Sequence, residues 1–211
     1  MVVASFDLDE TLADRNFDES LWYAAIPYAV REKEGISKND ALRRCLEAYD
    51  SVGKDDVRWY SPHYWMERFG IIDRKEEILE GIRDRVRLYP DVVPALNALE
   101  ERGVRCIVVS NASFEMIEFK LDAEGISRFF SRVFSASTHY NRVAKDGNLF
   151  FDVAEKLGVK TSGIYHVGDN EEFDYLQPKS AGVNAFLLDR SGEKSGGHVV
   201  ASLGDYVKLI P

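Results

Sequence analysis

The segment Phe6-Asp7-Leu8-Asp9-Glu10-Thr11-Leu12 sets two carboxylates two residues apart, directly after the apolar run 2–6. A strand that stops there aims both acids at one small volume, which suits nucleophilic or acid–base work and the holding of a hard cation. A turn cap is the commoner reason for an isolated D-x-D. Three further segments add complementary chemistry. Val108-Val109-Ser110-Asn111 ends a second apolar run with a hydroxyl and a backbone turn that can donate to anionic oxygens. Lys145 follows a third run at the entrance of a helix, with Arg142 as a competing cation. A fourth run ends in His166-Val167-Gly168-Asp169-Asn170-Glu171-Glu172-Phe173-Asp174, where Gly168 allows a tight exit and Asp169 and Asp174 stand five apart. Gathering Asp7, Asp9, Asp169 and Asp174 without compensation is costly, because like charges in a cleft raise one another's affinity for protons. A divalent cation resolves the conflict, and an all-oxygen site with room for water suits Mg²⁺.

These segments need a scaffold that brings strand ends together. Five apolar or β-branched runs, 2–6, 104–109, 132–134, 164–167 and 184–188, are nearly continuous rather than alternating, and helical patterns separate them. That pattern predicts an α/β fold, a doubly wound, parallel, five-stranded, Rossmann-like sheet covered on both faces. Almost a hundred residues separate the first two strands, where one helix and short loops normally suffice. Only helical signals occur in that interval: Asp18 before Leu21, Ser37-x-x-Asp40, Ser61-Pro62, and Asp73-x-x-Glu76. The expected organisation is therefore a core of residues 1–14 and 89–211 with an inserted four-helix cap of residues 15–88. Because its two linkers run side by side, the cap is expected over the carboxyl ends of the strands, the edge where such sheets bind ligands. Residues 191–197, SGEKSGG, read as a flexible surface loop.

The whole chain of 211 residues carries 36 acids against 27 bases, a formal charge of −9. An acidic chain without a Lys/Arg block argues against nucleic acid or an anionic membrane as partner, while a small anionic substrate stays compatible with a local cation. The longest uninterrupted apolar stretch, 21–26, is far short of a bilayer span. The N-terminus lacks a basic region of the secretory kind, so a cytoplasmic location is expected. Cys45 and Cys106 sit in no metal-spaced cluster, and reduced, buried thiols are expected. The cap segment is rich in aromatics, most of which a unit of that size needs for its core. Arg15 and Asn16, just after the acidic loop, are specificity candidates because the chain confines them to the cleft. Arg58 and His63 flank Trp59-Tyr60 and are weaker candidates for a substrate hydroxyl or second anion, surface exposure being the plainer account.

The order D-x-D-x-T, S-N, K and G-D-x-x-x-x-D is similar to the haloacid dehalogenase superfamily of phosphotransferases, and the insertion after the first strand resembles the helical cap of its first subclass. The resemblance covers most of the chain outside that insertion. It implies that Asp7 is the nucleophile forming an aspartyl-phosphate, and that Asp9 protonates the leaving oxygen and later deprotonates water. It further implies that Asp7, Asp169 and the Asp9 carbonyl hold Mg²⁺. Ser110, Asn111 and Lys145 would bind the phosphoryl oxygens together with Thr11, which also helps position Asp9. Asp174 would orient Lys145 or a metal-bound water. Crowding among the acids is expected to keep a proton on Asp9. Two positions depart from the pattern: Glu10 stands where many relatives carry glycine, and Lys145-Asp146-Gly147-Asn148 replaces K-P-x-P. The implied activity is a Mg²⁺-dependent phosphatase acting on a small phosphorylated metabolite. A phosphomutase with the same aspartates, or a regulatory protein that keeps the fold without turnover, are the alternatives. Dehalogenation does not call for an acid at position 9.

Overall fold

The computed structural model describes residues 1–211. Its backbone divides into two compact units, one formed by Met1–Asp14 and Leu88–Pro211, the other by Arg15–Arg87.

The first unit is built on a parallel sheet. Strands β1 (Val3–Phe6), β2 (Arg105–Ser110), β3 (Phe130–Ser135), β4 (Ile164–Gly168), β5 (Asn184–Leu188) and β6 (Val199–Val200) lie in the order β3-β2-β1-β4-β5-β6. All neighbours run parallel. Five of the strands coincide with the five apolar runs. The sixth corrects the five-stranded expectation: β6 is two residues long and follows a glycine-rich loop, too short to show a period. That loop is also better tied than its composition suggests. The Asp189 carboxylate accepts from the backbone nitrogens of Ser191 and Lys194 at 3.0 and 2.5 Å, and Lys194 reaches Glu171 at 2.9 Å.

Residues of β1 alternate between two apolar layers. Ala4 and Phe6 face the layer that includes Leu96, Ile117 and Tyr206, and Val3 faces the layer of Phe150, Val153 and Leu157. Period-2 alternation therefore sends Ser5 and Asp7 to the same side as Val3. The chain leaves β1 toward β2 and β3, then returns to add β4, β5 and β6 on the other side, so the winding reverses beside β1. Ligands bind outside the carboxyl ends of strands at such a reversal. The loop leaving β1 is tight. Leu12 and Ala13 donate from their backbone nitrogens to Leu8 O at 2.8 and 2.9 Å, and Glu10 takes a left-handed φ of 60°. A side chain in that conformation costs roughly 1 kcal/mol, a cost that glycine would avoid.

The second unit is all helical. A continuous run over 16–34 contains one wider π-type segment, Leu21–Ala25, and ends at Gly35 with φ 66°. Lys38–Val52 follows with Ser37 as N-cap, then Pro62–Arg68 with Ser61 as N-cap, then Lys75–Glu80. Two start signals differ from expectation. The first helix opens at Asn16, so Asp18 lies in its first turn, and Asp73 belongs to a 3₁₀ turn, Ile72–Arg74, that runs into the last helix without a side-chain cap. The core of this unit is aromatic: Tyr49 meets Trp65 edge-on at 4.8 Å and Trp22 at 5.6 Å, and Trp65 is fully buried. No helix is long and apolar enough to cross a membrane. Both cysteines are free and buried.

Candidate active site

The sheet register places the chemistry. Phe6 is opposite Val108 on one side and Val167 on the other, so Asp7, Ser110 and Asp169 all emerge at the carboxyl edge within a step or two of one another. Asp7 is pinned there by its backbone nitrogen donating to Val167 O at 2.9 Å. Carboxylate oxygens of Asp7, Asp169 and Asp174 lie within 4.8 Å of one another.

The Lys145 ammonium bridges two of these acids. It donates to Asp7 Oδ1 and sits 2.6 Å from Asp174 Oδ1, with all three residues buried. The helix Gly147–Leu157 fixes the approach, its N-cap Asp146 accepting from Leu149 N at 2.8 Å. Of the two cations left open by the sequence, Lys145 is the one that reaches Asp7. Arg142 is held by Asp146 and, at 3.2 Å, by Asp152.

Asp174 is the most heavily supported carboxylate. Besides Lys145 it accepts from His166 Nε2 at 3.0 Å and from Asn170 N at 2.9 Å. Burial pushes its carboxyl up, but Lys145 and His166 outweigh that and hold it at about 2. An ionised Asp174 can only accept, so His166 Nε2 carries the proton and Nδ1 accepts from the Ser5 hydroxyl at 2.8 Å. Burial also pushes the His166 imidazole down from its ordinary value, consistent with a neutral ring. Gly168 is required by contact rather than by conformation, since a Cβ there would lie 2.3 Å from the Asp174 carboxyl carbon. For Lys145, burial opposes the charge, yet Asp174 and Asp7 raise its proton affinity above the ordinary lysine value.

Asp7 and Asp169 are the poorly compensated acids. Burial pushes Asp7 well above the usual carboxylate range, with Lys145 pulling the other way. Burial, then the neighbouring Asp174, pushes Asp169 up to about 6. A divalent cation fits this donor set. Both oxygens of Asp174 already accept hydrogen bonds, which leaves Asp7 and Asp169 as the carboxylates for a metal, with Asp174 behind them.

Polar side chains on the segments that leave β1 and β2 have hydrogen-bonding capacity to spare. Thr11 Oγ1 and Asn111 Oδ1 are buried without a hydrogen-bond partner. Ser110 Oγ accepts from Ala112 N at 3.2 Å, which leaves its own proton to donate. Asp9 departs from the expectation that it shares the crowding of the acids. Its carboxylate is outside the cluster of Asp7, Asp169 and Asp174, and Oδ1 lies 2.5 Å from the ammonium of Lys120. Lys120 is a buried residue that the sequence reading passed over. Its signal was a charge in the buried stripe of the helix Phe114–Ala123, alongside Met116, Ile117 and Leu121. The remaining candidates belong to the helical unit: Arg15 directly precedes the helix Asn16–Ser20, and His63 is exposed on Pro62–Arg68. Arg58 is committed to Asp56, with Nε donating to its two oxygens at 2.9 and 3.0 Å.

Acids, a hydroxyl and a buried lysine gathered at the winding reversal of a parallel sheet place the protein among α/β folds equipped for anion chemistry, and comparison with known proteins gives the family. The chain belongs to the haloacid dehalogenase-like hydrolases, whose sequence profile matches residues 1–182. It is 28% identical to the GMP/IMP nucleotidase YrfG of Escherichia coli strain K12 over 213 residues, covering 97% of this chain and 92% of the relative. It is 26% identical to the phosphoglycolate phosphatase of Vibrio cholerae, covering 87% and 82% of the two chains. The crystal structure of a HAD phosphatase from Thermococcus onnurineus superposes with a TM-score of 0.83 at 24% identity, over 99% of this chain and 97% of that one.

Two substitutions test the buried network. Gly168→Ala, which drives Asp174 off its partners, and Asp174→Asn, which leaves Lys145 undercompensated, each lower stability by roughly 3 kcal/mol or more in urea denaturation. The carboxyl of Asp174 is depressed in the fold, so its contribution is complete above about pH 4 and is lost as pH falls through about 2. The Asp174→Asn protein lacks that part of the acid sensitivity.

Proposed function

We propose that the protein is a Mg²⁺-dependent phosphatase that hydrolyses a small phosphomonoester through an aspartyl-phosphate on Asp7. The observation that carries this reading is the Lys145 ammonium joining Asp7 to Asp174 with Asp169 alongside. One nucleophilic carboxylate is thereby held where cationic charge can meet a phosphoryl group.

In the first step an Asp7 oxygen attacks phosphorus, the bond to the leaving oxygen breaks, and Asp9 gives that oxygen a proton. In the second, water attacks the same phosphorus, Asp9 takes a proton from the water, and the bond from phosphorus to Asp7 breaks to release inorganic phosphate. Lys145, the Ser110 hydroxyl and the unpartnered Thr11 hydroxyl donate to phosphoryl oxygens, with N–H donation from Asn111 assisting. Mg²⁺, held by Asp7, Asp169 and the Asp9 carbonyl, supplies the charge neutralisation that lets an anionic carboxylate approach an anionic phosphate. Arg15 and Asn16, which follow the acidic loop directly in the chain, are proposed as specificity residues, and Arg58 and His63 as weaker ones. The relatives point to nucleoside monophosphates and phosphoglycolate as the first substrates to try.

Incubation with GMP, IMP and phosphoglycolate is expected to release inorganic phosphate with Mg²⁺ and none with a chelator. Asp7→Asn is expected to lower the rate roughly 10³-fold or more. Retained turnover in that variant removes the assignment. Protons compete with the cation for Asp7 and for Asp169, whose carboxyl sits at about 6. The Mg²⁺ concentration for half-maximal rate therefore rises as pH falls below about 6. A titration that is flat in pH contradicts the assigned ligands.

A further inference from the structure

We propose that Lys120 is a positioning residue for the proton-transferring carboxyl of Asp9, an inference that rests on the phosphatase reading above. Lys120 is 2% exposed, and its Nζ lies 2.5 Å from Asp9 Oδ1. The two partners are unequal. Lys120 projects from the packed face of Phe114–Ala123, between Ile117 and Leu121, whereas the Asp9 side chain is 36% exposed on the turn after β1. The lysine is thus the fixed member, and the acid is the one being placed.

That placement separates the two aspartates of the D-x-D segment. Lys145 holds Asp7 inside the acidic cluster, and Lys120 holds Asp9 outside it. An unanchored aspartate on a strand-end turn samples several rotamers, and only some bring it within reach of a leaving oxygen. Anchoring Oδ1 on a buried ammonium restricts that sampling and leaves Oδ2 as the oxygen that gives and takes the proton. Precise placement of an acid relative to the bond it serves is worth orders of magnitude in rate. An ammonium buried in an apolar helix face needs acceptors to offset its desolvation, and the Asp9 carboxylate is one of them.

The test compares kcat/KM, which reports the step that forms the phosphoenzyme, for two substrates. One is an alkyl phosphomonoester, whose leaving oxygen needs a proton. The other is p-nitrophenyl phosphate, whose leaving group departs without one. Lys120→Met keeps the stem and removes the charge. It is expected to lower the alkyl value by ~10²-fold and the aryl value far less. Lys120→Arg, which keeps the charge on a different reach, is expected to move the ratio in the same direction by a smaller factor, and it carries the comparison if Lys120→Met does not fold. The ratio is taken within one preparation, so the fraction folded cancels. In an Asp9→Asn background, Lys120→Met should cost nothing more on the alkyl substrate. Equal losses on both substrates, no loss, or an additive loss in the Asp9→Asn background overturn the proposal. If the unaltered protein releases no phosphate from either substrate, the phosphatase reading falls and takes this one with it. If release depends on Asp7 while the ratio stays fixed, only the role of Lys120 falls.

Discussion

Three carboxylates and one ammonium share the carboxyl ends of β1 and β4, and the two negative charges left over govern the rest of the site. The fold does not spread the imbalance evenly. Asp174 receives Lys145, His166 and the Asn170 nitrogen and stays ionised, while Asp7 and Asp169 hold protons more tightly than exposed acids do. The arrangement is one divalent cation short of neutrality, and the under-compensated acids are the two whose oxygens are not already engaged as acceptors by more than one donor. A proton and a metal are thus competing solutions to the same electrostatic problem.

The rest of the unit can be read as support for that imbalance. Alternation along β1 sends Ser5 and Asp7 to one side, and the Ser5, His166, Asp174, Lys145 and Asp7 contacts form a continuous polar chain within an otherwise apolar layer. Each member fixes the protonation of the next: a carboxylate demands a donor, the donor leaves the other imidazole nitrogen to accept, and Ser5 supplies that last proton. Gly168 is glycine because the Asp174 carboxyl occupies the space a Cβ would fill.

Much of this was legible in the sequence because the reactive residues stand where hydrophobic runs stop, and continuous apolar runs are the strongest signal a parallel sheet gives. The positions of Asp7, Ser110 and Asp169 follow from that, whereas Lys145 lies well past the third run and is separated from Arg142 only by its contact with Asp7. Strand β6 was not legible, since two valines after a glycine-rich loop have no period. The placement of the Asp9 carboxylate was not legible for a physical reason: two-residue spacing says that two acids leave the same strand end, and says nothing of a third partner from a distant helix. In Phe114–Ala123 the apolar residues Met116, Ile117 and Leu121 mark the buried stripe, and the charge of Lys120 within it is the more informative signal. His166, buried within β4, carries no sequence signal of its role, and its partners on both ring nitrogens make it part of the network that sets Asp174.

The central claim is that Asp7 takes the phosphoryl group. Mixing the protein with Mg²⁺ and a phosphate-labelled substrate, quenching in acid within a turnover and mapping the label tests it directly. The account predicts a hydroxylamine-labile label on the peptide that contains Asp7. Label on any other residue, or a full turnover of phosphate release in which no label passes through the protein, contradicts it.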